Sequence, residues 1–187
     1  MRHDSFDVFY LSDDDGRTWR QSNSCVAFFS PYNPAGLQEP GAVELPGGVL
    51  WGHARTQLGR HYEFFSMDGG ENWTQAQPSQ FTAPCSPMQI KRSPFDGRLV
   101  AVWNPIPGTE MNPNGSWGAR TPLVYAVSDG GMSFSEPVIL EDSPEHGYCY
   151  PAVCFLDAHT FLLSYCGGSY KEDGGYLNRT IIRKITF

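Results

Sequence analysis

The chain has 187 residues, 40% of them apolar and 14% aromatic, with 20 glycines and 15 prolines. That is the composition of one loop-rich globular domain, and it excludes a disordered chain. Lys and Arg number 13 against 20 Asp and Glu, a net charge of −7 with no basic run, which excludes the electrostatic footprint of a nucleic-acid partner.

Along the chain, apolar residues alternate or cluster in short runs bounded by Gly, Pro, Asn and Asp, so strands are predicted over 7–11, 41–45, 49–54, 61–66, 88–92, 99–103, 123–127, 137–140, 152–156, 161–165 and 180–185. No segment reads as a helix of useful length. None approaches the roughly 18 consecutive apolar residues of a membrane helix, and Met1-Arg2-His3-Asp4-Ser5 has no apolar segment behind it. The reading is a soluble all-β chain with no membrane partner and no export signal. The five cysteines, Cys25, Cys85, Cys149, Cys154 and Cys166, are odd in number and lack CxxC spacing. They signal neither a disulfide framework nor a metal site, and are expected to be buried as small hydrophobes.

The turns repeat. Ser12-Asp13-Asp14-Asp15-Gly16-Arg17-Thr18-Trp19 recurs as Ser66-Met67-Asp68-Gly69-Gly70-Glu71-Asn72-Trp73 and, degraded, as Val127-Ser128-Asp129-Gly130-Gly131-Met132-Ser133-Phe134. In each, an Asp can accept turn amides, a Gly can take positive φ, and an aromatic is expected to return to the apolar layer. The aspartates stand 54 and 61 residues apart, a period that suits a four-stranded propeller blade. The predicted layout is a partial blade over 1–21, blades over 39–78 and 85–140, and an incomplete last blade over 148–187. This makes about half of a six-bladed β-propeller.

These turns resemble the Asp-boxes, or BNR repeats, of the sialidase superfamily. The segment from Gln38-Glu39-Pro40-Gly41 through Gly48-Val49-Leu50-Trp51-Gly52-His53-Ala54-Arg55-Thr56 is similar to the one that joins the family's catalytic glutamate to a substrate-carboxylate arginine. The resemblance implies those roles for Glu39 and Arg55. Ala119-Arg120-Thr121-Pro122 is similar to the segment of the last triad arginine, which implies Arg120. Gly147-Tyr148-Cys149 looks like the nucleophilic tyrosine of the final blade, which implies Tyr148, with Tyr150 as the alternative. The family's first triad arginine and its acid/base aspartate have no counterpart here. Asp4 and Asp7 lie on the strand leading into the first box, the wrong place for the acid.

Strand direction supports this grouping independently. In an antiparallel meander, strand one starts at the rim where strand two ends and strand three starts. Glu39, Arg55, Arg120 and Tyr148 all fall on that upper rim, and the box turns fall on the lower one. Guanidinium forks suit a sugar carboxylate. A neutral phenol suits attack beside an anionic substrate, with Glu39 taking its proton. His53 reads as a strand histidine that shares Arg55's face, and Trp103 and Asn104 as possible pocket walls.

The activity implied by the resemblance is retaining exo-hydrolysis of terminal sialic acid from a glycoconjugate, with no cofactor. The alternatives are a glycosidase or lyase for another acidic or deoxy sugar, and a non-catalytic carbohydrate-binding propeller. The implied partners are a sialylated or other acidic glycan and either the missing N-terminal half of the ring or a second copy joined through exposed blade edges. The chain alone is expected to hydrolyse nothing.

Overall fold

The computed structural model describes residues 5–107 and 120–187, so Asp4 and Ala119 lie outside the described residues. The strands are β1 (Tyr10–Leu11), β2 (Arg20–Gln21), β3 (Gln38–Glu44), β4 (Leu50–Arg55), β5 (Arg60–Ser66), β6 (Gln77–Thr82), β7 (Gln89–Arg92), β8 (Leu99–Trp103), β9 (Leu123–Ser128), β10 (Val138–Glu141), β11 (Gly147–Asp157), β12 (Thr160–Gly168) and β13 (Arg179–Thr186). Each pairs antiparallel with its sequence neighbour, in sheets β1-β2, β3-β4-β5-β6, β7-β8-β9-β10 and β11-β12-β13. β3 touches β7 and β7 touches β11, so the innermost strands of successive sheets stand side by side. This is the all-β, partial-propeller architecture.

Period-two alternation explains the stacking, because the central strands are buried on both faces. In β8, Leu99, Ala101 and Trp103 face one layer with Trp51, Phe81 and Val124, while Val100 and Val102 face the next with Tyr125, Phe161 and Leu163. A third layer joins Val26, Leu37, Phe64 and Tyr62 to Phe9 and Trp73 beneath the first sheet. Close approaches fall at glycine positions: a Cβ on Gly52 would lie 2.1 Å from the ring of Phe64, its partner across β4 and β5, and one on Gly36, at φ +69°, would lie 2.1 Å from the carbonyl of Ser5, with which it forms a bridge. Alanine at either position therefore forces the paired segments apart.

Two strands escape the sequence reading, β2 and β6. Both are last in their sheets, and β6 buries only Ser79 and Phe81, so outer-strand polarity masks the alternation. Pro78 sits opposite Tyr62 on this edge, where its missing N–H costs no ladder bond to a further strand. The structure also has one helical turn, α1 (Tyr170–Asp173), capped by the Ser169 hydroxyl accepting from Glu172 N and closed by Gly174 at φ 71°.

The box turns close β1 onto β2, β5 onto β6 and β9 onto β10 at the lower rim. In the first, Asp14 accepts from Thr18 N at 2.8 Å and the Thr18 hydroxyl at 2.7 Å, while the Ser12 hydroxyl accepts from Gly16 N. The second repeats this with Asn72 N at 2.9 Å and the Asn72 amide at 2.8 Å on Asp68. These hydrogen bonds hold both carboxyls below the usual range. Trp73 stacks on Phe9 at 4.2 Å, and Phe134 packs in the central layer. Trp19 departs from the expectation: it is 62% exposed, its indole donating to Gly16 O.

The cysteine expectation needs a similar correction. Cys85 and Cys149 are buried, Cys25 and Cys154 are exposed and Cys166 is half-buried. Cys154 lies at an outward position of β11, where alternation sends Val153 to the core instead. Among the described residues no helix is long and apolar enough to cross a membrane.

Candidate active site

Gln38 pairs with Arg55, which puts the start of β3 and the end of β4 on one rim. Arg120 precedes β9 at the same rim, and its carbonyl accepts from Tyr148 N at 2.8 Å, tying it to the start of β11. Three sheets therefore deliver side chains to one place.

Glu39 lies at the centre. Its Oε2 accepts from Arg55 Nη1 at 2.9 Å, and its Oε1 accepts from the Tyr150 hydroxyl at 3.2 Å. Arg55 also donates through Nε and Nη2 to Gln38 Oε1, at 3.2 and 2.7 Å, which fixes the guanidinium plane. The Arg120 guanidinium lies 5.7 Å from the centre of the Tyr150 ring, within cation–π range, and its Nη2 donates to Cys85 O. Its Nη1 donates to Cys149 Sγ at 2.9 Å. Burial pushes the Cys149 thiol up to about 11 although Arg120 pulls it the other way, so the sulfur is a neutral prop for the arginine.

The backbone at both Glu39 and Tyr150 is strained. Glu39 has φ 53° and Tyr150 φ 55°, and each sits where the strand register slips, between Gln38 and Gly41 and between Cys149 and Ala152. Such bulges re-aim side chains and cluster at functional sites. Here they separate two tyrosines that strict alternation would send to the same side. Tyr148 is 5% exposed and packs among Val102, Leu163 and Tyr165, its phenol held above the usual range by burial and by the Glu141 carboxylate. Tyr150 is 45% exposed, and it is the tyrosine whose hydroxyl meets Glu39. The structure thus brings Glu39, Arg55 and Arg120 together with Tyr150 and leaves Tyr148 in the core.

Asn104 is fully buried and braces the assembly. Its amide nitrogen donates to Pro122 O at 2.9 Å and Tyr148 O at 3.2 Å, and its oxygen accepts from Ser86 at 2.9 Å. Those partners stand two residues from Arg120, two from Tyr150 and one from Cys85. Sequence placed Asn104 at a strand end but gave no sign of this brace, nor of the Cys149 contact, because the partners are far apart in the chain. His53 is buried against Gly41 and His61 rather than beside Arg55's guanidinium. Trp103 lies in the central layer.

No curated protein sequence matches the chain. Among solved structures it is similar to the NanB sialidase of Streptococcus pneumoniae, at 19% identity and TM-score 0.64, over 96% of this chain and 26% of that one. The intramolecular trans-sialidase of Ruminococcus gnavus, bound to oseltamivir carboxylate, gives 17% and 0.66 over 96% and 37%. The Trypanosoma rangeli sialidase in a covalent intermediate with 2,3-difluorosialic acid gives 17% and 0.66 over 95% and 27%. The chain spans about a quarter to just over a third of these proteins, and at such identities the likeness is one of fold. The model of the BNR repeat-like domain matches residues 2–161, most of the chain. By that match, on a sheet array shared with the sialidases, the chain belongs to the BNR repeat-like domain family.

Proposed function

We propose that this segment carries the nucleophile, its base and two anion-binding arginines of a retaining glycosidase that removes a terminal acidic sugar, sialic acid first among candidates. The observation that carries the reading is the Tyr150–Glu39 hydrogen bond of 3.2 Å flanked by two guanidinium groups. The Tyr150 oxygen attacks the anomeric carbon as its proton passes to Glu39, and the bond to the leaving oxygen breaks. The leaving oxygen takes its proton from an acid that the described residues do not supply, and water later releases the sugar from Tyr150. Arg55 and Arg120 pair with the substrate carboxylate. The Trypanosoma rangeli covalent complex supports a two-step course of this kind.

The test is covalent labelling of a protein carrying the whole ring with 2,3-difluorosialic acid, followed by peptide mapping. The expected adduct is on Tyr150. An adduct on Tyr148, or turnover of a fluorogenic sialoside without any tyrosine adduct, removes Tyr150 from the role.

A further inference from the structure

Gln38 and Glu39 are consecutive, and both bond the same guanidinium. A guanidinium presents five N–H donors in a fixed plane. Glu39 takes one from Arg55 Nη1 at 2.9 Å, and Gln38 Oε1 takes one each from Nε and Nη2, at 3.2 and 2.7 Å. Among the described residues this leaves one donor on each Nη for an incoming anion. The β3–β4 register sets Gln38 opposite Arg55, and the slip between Gln38 and Gly41 lets Glu39 reach both Arg55 and Tyr150.

The two acceptors differ in charge. A carboxylate holds a guanidinium more strongly than an amide does, but it also cancels the charge. The amide of Gln38 fixes the plane and leaves the charge in place. The surroundings follow the same pattern. His61 is buried and neutral, pushed down to about 3 by burial first and in smaller part by the Arg55 charge. The Arg120 guanidinium donates to the Cys85 carbonyl and to the neutral Cys149 thiol. Among the described residues, Glu39 is therefore the one carboxylate set against two guanidinium groups. On a chain of net charge −7, such a local excess of positive charge is readily eroded by one more acid. The Arg55 side chain is only 13% exposed, so solvent screens its neighbours' charges weakly.

We infer that Gln38 is a specificity-determining residue of this site: its neutral amide orients Arg55 and reserves the guanidinium charge for the carboxylate of the substrate. The inference rests on the proposed reading of the site as one for an acidic sugar, and the experiment separates the two. A protein carrying the whole ring is titrated calorimetrically at low salt with oseltamivir carboxylate, the compound bound by the Ruminococcus gnavus relative, and with its ethyl ester, in which that carboxyl group carries no charge. Gln38→Glu can keep both hydrogen bonds to Arg55, so its unfolding midpoint is expected to be unchanged or raised. It is expected to weaken binding of the carboxylate about 10-fold or more and of the ester less than about 2-fold. A carboxylate affinity within about 2-fold of the wild type, or equal losses for the acid and the ester, overturns the role of Gln38 and leaves the proposed function standing. A wild type that prefers the carboxylate to the ester but cleaves no sialoside overturns the hydrolytic reading, and the variant still decides Gln38. A wild type that binds the two equally overturns both.

Discussion

On the lower rim, Asp14 and Asp68 find their partners within four residues, in Thr18 and Asn72. On the upper rim, Glu39 is held by Arg55, 16 residues away, and by Tyr150, 111 residues away. The lower carboxylates are spent on closing a turn, and every donor around them is supplied by that turn. The upper carboxylate divides its two oxygens between a cation and a phenol from another sheet, and so remains exchangeable. Even the strained residues follow this division. Asp15, at φ 57°, sits inside a box turn, whereas Glu39 and Tyr150 sit in strand bulges that turn side chains towards each other. The local carboxylates close the frame, and the long-range one joins three segments of the chain at the candidate site.

The comparison breaks most sharply at the tyrosines. In a protein carrying the whole ring, Tyr150→Phe should lower turnover by on the order of 10³-fold or more with an unchanged unfolding midpoint, as removal of a nucleophile does. Tyr148→Phe keeps the ring in the core and should change turnover by less than about 3-fold. Steady-state kinetics on both variants, with thermal unfolding alongside, checks this. A Tyr148→Phe loss as large as that of Tyr150→Phe would return the nucleophile to Tyr148.

A smaller effect is expected at the brace between the sheets. Asn104→Ala leaves Pro122 O, Tyr148 O and the Ser86 hydroxyl without their buried partner, a cost of about 2–4 kcal/mol in stability. Because the same bonds set the spacing of Arg120 and Tyr150, kcat should also fall about 10-fold at temperatures where the variant is fully folded. A purely structural tie would lower the midpoint and leave kcat alone.

The frame has its own titration. Burial pushes His53 down to about 4 and His61 to about 3, so the folded protein keeps both neutral while the unfolded chain takes up protons below its ordinary 6.5. Stability is therefore lost as pH falls from 6.5, by roughly 2 kcal/mol per histidine at pH 5. Asp7, 4% exposed, runs the other way. Burial raises it to about 7, so between pH 4 and 7 the folded state holds a proton the unfolded state has lost, and stability falls as pH rises. The two trends partly cancel. Asp7→Asn removes one of them, and denaturant titrations should show the stability difference between pH 7.5 and pH 5 widening by about 3 kcal/mol. No widening would mean that Asp7 titrates normally.

The same contrast explains what could be read in the sequence. The boxes, the two four-stranded sheets and the rim on which each segment ends follow from local signals: a turn motif, a period of two, a strand direction. β6 was hidden because an outer strand with polar residues and Pro78 carries no alternation. Tyr148 and Tyr150 share parity in an unbroken strand, so only the bulge between Cys149 and Ala152 distinguishes them, and its one local sign is Pro151, which cannot donate to a ladder and fits a strand at an edge as well as at a bulge. Asn104 and Cys149 acquire their roles from partners 18 to 44 residues distant, which no local pattern encodes.

The smallest effect is expected where the frame is most local. Ser66, 1% exposed, donates to Asp68 at 2.8 Å and accepts from Gly70 N at 2.9 Å, so Ser66→Ala loses two hydrogen bonds of one turn. The cost should be about 1–2 kcal/mol, visible as a lowered denaturation midpoint. The turn lies at the opposite end of β5 from the rim of Arg55, and the sheet between them is packed on both faces. The Tyr150–Glu39–Arg55 geometry should therefore not sense it, and kcat and KM should match the parent. A kinetic defect in Ser66→Ala comparable to that of Asn104→Ala would show that the rims are coupled, and that the box turns do more than close strands.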